Sequence, residues 1–289
     1  MLDILLSGLA FAAYVGLAAH FWNTRWRPAR GAEAPRGIQT WERLALLVPL
    51  ALHGALLYGE LIGTRQLRFG FALALSAMLW LTVLFYWLES FFYELEGMQP
   101  PALALAALSV PLPLLFEGRM AGSYVATLGF KLHLTLAMLA YSLFTIAILH
   151  ALLMAFIERR LHSAHHAPAR RDAEGPGPLA GPFAHLPPLL TLERLLFRQI
   201  AAAFVLLTLT LATGIAFSES VFGRALSFNH KTLFAILSWL TFAVLLVGRH
   251  YYGWRGRTAL RFTLAGFVML LLAYVGSRFV LEVILGRGT

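Results

Sequence analysis

The sequence contains no cysteine. That absence excludes disulfides, thiolate metal sites and thiol nucleophiles within this chain, and it removes cysteine usage as a guide to redox compartment. Charge is scarce as well. Asp, Glu, Lys and Arg make up 13% of the residues, against about 25% in soluble domains. The first apolar run has no basic stretch before it, since Asp3 is the only charge that precedes it. The run itself is long enough to span and is followed by Arg25, Arg27 and Arg30, so it reads as a retained helix and not as a cleaved signal.

Apolar surface is what the chain has in quantity. Hydrophobic residues account for 59% of its 289 positions, and the mean hydropathy is +0.72. A water-soluble core of this size could not hide that much apolar surface. The fold class is therefore all-α, a polytopic transmembrane helix bundle in the lipid bilayer. Eight runs approach the ~20 residues a span needs: 4–22, 44–62, 69–92, 101–116, 132–157, 195–217, 231–249 and 262–285. The fourth is short and holds Pro111 and Pro113, which predicts a kinked or partly re-entrant segment.

The formal net charge of +9 fits basic cytoplasmic loops facing anionic lipid. No soluble domain is present to carry nucleic acid, so that function is set aside. With eight spans, the connections after spans 1, 3, 5 and 7 carry 15 Lys and Arg residues and the other side carries 8. The positive-inside rule places the 15 in the cytoplasm and both termini outside. Residues 158–188, rich in Pro, Gly, Ala, Arg and His, read as a flexible basic cytoplasmic linker. It divides a five-span half, 1–157, from a three-span half, 189–289.

Ten histidines are the main candidates for chemistry. His162, His165 and His166 have metal-ligand spacing only if helical, and their Pro/Gly surroundings argue against it. His20, His150 and His250 lie near the inner ends of spans, where a polar tip reaches the headgroups at little cost. His53, about 15 Å from Arg43 along a helix, lies near the midplane. It reads equally as a functional site facing the bundle interior or as half of an interhelical hydrogen bond to a Ser, Thr or carbonyl. His133 sits at the outer mouth of span 5 beside Lys131. A neutral imidazole there is either an interfacial residue or an axial ligand for haem iron in an aromatic-lined slot.

The segments "PPLLTLERLLFRQI", "LLTLTLATGI", "GWRGR" and "LAGFVMLLLAYVGSRFV" resemble, in order and spacing, the cytochrome c assembly membrane proteins of the CcsA/HemX type, and within them the YpjD inner-membrane branch. The resemblance implies residence in the bacterial inner membrane, haem binding or handling, and a membrane-protein or cytochrome-assembly partner. Synthase members of that family carry a Trp-rich outer loop that cradles haem between histidines. On this chain the loop's first Trp falls at Phe222, its third at Phe228 and its Asp at Asn229, while Lys231 and Trp239 match. His133 matches the outer histidine that precedes the loop. The outer histidine expected near the C-terminal end has no counterpart.

The resemblance thus implies a haem-handling relative without full synthase chemistry. His133 is the ligand to haem iron, His53 or His230 its partner, and Phe222 and Phe228 the surviving aromatic faces. A haem shared by His53 and His133 would stand obliquely between spans 2 and 5. The alternatives are a non-enzymatic regulator of tetrapyrrole synthesis, contacting partners through the basic linker, and a transporter accessory with His53 and Glu60 as a polar pathway.

Overall fold

The computed structural model describes residues 1–26, 37–63, 68–93, 97–116, 118–120, 127–165, 189–222 and 230–285. The elements are α1 (Leu2–Phe21), α2 (Thr40–Tyr58), β1 (Arg68–Phe69), α3 (Phe71–Glu89), α4 (Gln99–Ser109), α5 (Leu112–Leu115), β2 (Arg119–Met120), α6 (Leu128–His165), α7 (Leu189–Phe222), α8 (His230–Tyr252) and α9 (Gly256–Leu271). Helices α1 and α2 run on through single π-type turns, and α9 continues to Ile284. The molecule is a polytopic bundle of apolar helices. Among the described residues, seven are long and apolar enough to cross a membrane, and Gln99–Leu115 is a shorter apolar helical segment.

An edge contact supports an eighth pass by this segment. β1, just before α3, pairs antiparallel with β2, just after α5, in the register Arg68↔Met120 and Phe69↔Arg119. The Phe71 and Phe116 rings lie 5.2 Å apart. The chain therefore leaves along α3, a 19-residue helix of ~28 Å, and returns to its starting end by way of α4 and α5. Pro100 stands in the first turn of α4, where its missing N–H costs nothing. The break between α4 and α5 falls at Val110–Pro111, because proline cannot supply the next helical donor. With eight passes, Leu2 and Ile284 lie at the same end of the bundle.

The opposite end collects the arginines. The buried Arg25 and Glu42 pair there at 2.8 Å and join α1 to α2, and the Trp26 indole donates to the Gly97 carbonyl at 3.1 Å. Arg249 and Arg255 both reach Glu193. Below we call this the arginine-rich end and the other the far end. α6 continues as helix to His165, so it takes in the first residues of the segment read as a linker. The remainder, 166–188, lies outside the described residues, as do the loop 223–229 and Phe228.

Two large apolar cores and a smaller cluster around Leu57, Phe69 and Leu73 fill the bundle. One joins α1–α4 to the arginine-rich end of α6 through residues such as Tyr14, Tyr86, Leu103 and Ile146. The other joins α6–α9 through Phe144, Ile200, Phe242 and Leu270. The Phe144 and Phe242 rings stack at 3.9 Å, and the bare face of Gly266 permits the approach of Phe242, which would lie 2.8 Å from an added Cβ.

Candidate functional site

His133 lies in the second turn of α6, at the far end. Its half-buried ring rests on α7. Nδ1 donates to the Thr210 carbonyl at 3.1 Å, with the Thr213 hydroxyl at 3.4 Å. The carbonyl can only accept, so this bond puts the proton on Nδ1 and leaves the lone pair on Nε2. Nε2 has no partner among the described residues. Gly214 makes the arrangement fit, because a Cβ there would stand 3.0 Å from His133 Cε1. The bond tethers α6 to α7 and leaves Nε2 as the ring nitrogen with a lone pair to offer.

The other candidates are dispersed. His53 is buried, and its Nε2 bonds to the Ser76 hydroxyl at 2.8 Å. Its ring meets Tyr14 edge-on with centroids 5.8 Å apart. This is the interhelical hydrogen bond that a mid-membrane histidine allows, made from α2 to α3. Its Nδ1 and the Tyr14 hydroxyl are both buried without hydrogen-bond partners among the described residues. The hydrogen bonds of His53 and His133 lead to different helices, so the structure does not join the two. His230 opens α8 and is exposed. Phe222 ends α7, its side chain lying outside the described residues. His133, His230 and the end of α7 therefore share the far end, and His53 belongs to the first core.

Two polar groupings were missed from sequence. His150, assigned there to the headgroup region, is buried in the packed interior. Its Nδ1 lies 2.7 Å from Gln199 Oε1, and Gln199 Nε2 donates to both oxygens of Glu89 at 2.8 and 2.9 Å. This chain of bonds stitches α6, α7 and α3 together near the arginine-rich end. Gln199 within the apolar start of α7 was the available signal. The second grouping is Lys231, Arg278 and Glu282 at the far end, with Glu282 Oε2 accepting from Phe71 N at 3.2 Å. Among the described residues no group of three or more His, Asp or Glu side chains could hold a metal ion.

Comparison with known proteins agrees with this architecture. The family model for the cytochrome C assembly protein matches residues 41–285. The inner membrane protein YpjD of Escherichia coli (strain K12) is 32% identical over 185 residues, 64% of this chain and 64% of that protein. The cytochrome c biogenesis protein CcsA of Prochlorococcus marinus (strain MIT 9515) is 38% identical over 97 residues, 34% of this chain and 30% of that protein. The matches thus span under two thirds of these relatives' length. No solved structure matches. The apolar multi-pass bundle and these relatives place the protein in the bacterial inner membrane. With the family model covering nearly all of the bundle, the chain belongs to the cytochrome c assembly protein family.

Proposed function

We propose that this protein binds haem at the far end of the bundle in the service of cytochrome assembly, with His133 Nε2 as the axial ligand. The observation that carries the reading is the Nδ1–H bond from His133 to the Thr210 carbonyl, which leaves an imidazole nitrogen open and correctly protonated for iron. Bound haem would supply an iron whose redox and ligand chemistry is tuned by that imidazole. The chain's own residues bind and orient. Thr210 and Gly214 hold the ring flat against α7, and α6 and α7 keep the ligand on rigid elements. His230 stands at the same end as a candidate second ligand, and His53 remains a candidate whose free Nδ1 lies deeper. Phe222 and Phe228 are the proposed aromatic cover.

The residues fit binding better than catalysis, since among the described residues no paired acid and base face His133. We read the arginine-rich end as cytoplasmic and the far end as external, on the 15-to-8 bias of Lys and Arg. The reading is tested by isolating the full chain from haem-replete cells. A Soret band with one haem per chain is the expected result. Haem-free protein that takes up none on titration would sink it and leave a regulatory role as the family reading.

A further inference from the structure

At the far end, the continuation of α9 carries Arg278 and Glu282 one turn apart, 3.6 Å from each other. Glu282 divides its two oxygens: Oε1 faces Arg278 and makes no hydrogen bond among the described residues. Its Oε2 accepts the first backbone N–H of α3 from Phe71 at 3.2 Å, where the helix dipole also favours a carboxylate. Gly70 leaves the space, since a Cβ there would meet the same oxygen at 2.9 Å. Lys231, in the first turn of α8, lies within electrostatic reach of both Arg278 and Glu282. Among the described residues it makes no ion pair or hydrogen bond. Arg278 Nε is buried and unpartnered. Among the described residues, two cations thus share one carboxylate, one oxygen of which caps a helix terminus, and the half-buried corner carries one more positive than negative side chain. Such a corner is costly to hold empty in a membrane protein.

The corner lies at the same end of the bundle as His133. Leu134, next to His133, packs in a cluster with Tyr274, and the Arg278 guanidinium covers the Tyr274 ring at 5.9 Å. α6 and α9 run antiparallel, so Arg278 stands about one turn further out than the level of Leu134. We infer that Lys231 and Arg278 form a carboxylate-binding corner that takes the propionate edge of the haem whose iron His133 ligates; the inference rests on the haem reading above. The planar guanidinium and the compact ammonium suit two carboxylates at one edge of a macrocycle. The phosphate of an anionic lipid headgroup offers similar chemistry, so the test separates the two.

The full chain in phosphatidylcholine nanodiscs is titrated with ferric haem and with its dimethyl ester, which keeps the iron and loses both carboxylates. The wild type should bind the free acid at least about ten-fold more tightly, the loss expected for charge-assisted hydrogen bonds. Lys231→Met and Arg278→Gln should each lower haem affinity towards that of the ester, with ester affinity and Soret position unchanged. Lys231→Arg should restore the preference. Equal wild-type affinity for the two forms overturns the corner while leaving His133 ligation standing. Equal loss of both ligands in the variants also overturns it, as a merely structural effect. Loss of a co-purified anionic lipid from Lys231→Met, with haem preference intact, assigns the corner to a headgroup instead. Binding of neither form overturns the haem reading and the corner together.

Discussion

Removing the carboxylate of Glu42 should destabilise the bundle more than any other single polar-to-apolar change at the arginine-rich end. Glu42 and Arg25 are each 1% exposed. Glu42 Oε2 accepts from Arg25 Nη2 and from the Gln39 backbone N–H, both at 2.8 Å, and Oε1 lies 2.8 Å from His20 Nε2. In Glu42→Leu the guanidinium keeps only the Gly37 carbonyl at 2.8 Å and the Thr24 hydroxyl at 3.3 Å, and its Nε already lacks a partner. Leaving one charge of a buried pair uncompensated costs ~3–5 kcal/mol. For a chain of this size each kcal/mol shifts Tm by ~2–4 °C, so the loss should be about 6–20 °C. Thermal unfolding of the detergent-solubilised protein measures it. The double variant Arg25→Met/Glu42→Leu removes the pair without burying a lone charge, and should fall much less than the single. A Glu42→Leu Tm unchanged from wild type, or a double variant worse than the sum of its singles, would refute the reasoning.

Further outcomes follow from the same geometry. Gln199→Leu strips partners from Glu89 and His150 at once and should cost ~2–4 kcal/mol in the same unfolding assay; Gln199→Glu should not restore it, because two carboxylates would then face each other. Gly266→Leu should drive a side chain into the Phe242 ring and lower yield and Tm, whereas Gly8→Leu, with nothing near its face, should be neutral. Gly214→Ala should displace the His133 ring and weaken haem binding by an amount visible in titration without unfolding the protein. Single cysteines on this cysteine-free chain test the orientation: a probe excluded from the cytoplasm should label Asp3→Cys and spare Arg257→Cys, and the reverse pattern would invert the topology.

The spans were legible because uninterrupted apolar runs of ~20 residues admit few other readings. The fourth was legible as a broken helix because proline both lacks the donor and clashes with the preceding turn. Its return to the starting end was not, since that rests on the pairing of Arg68–Phe69 with Arg119–Met120, two residues each. Arg25 was counted as a loop charge facing water or headgroups, yet the π-type turn that extends α1 carries it into a buried pair with Glu42. His150 was assigned to the interface by its distance from the helix end; the long run of α6 to His165 moved that end outward. The hydrogen bond of His53 to Ser76 was among the readings its position allowed. The anchor of His133 was beyond sequence reading, because its acceptor is a backbone carbonyl 77 residues away.

The central claim is that His133 is the iron ligand, and one spectrum addresses it. Haem-loaded wild type and His133→Ala are compared in the Soret and visible regions, then again after adding free imidazole. If His133 ligates the iron, His133→Ala loses or shifts the bands, and imidazole restores them because the missing nitrogen is returned to the iron. A His133→Ala spectrum identical to wild type would contradict it.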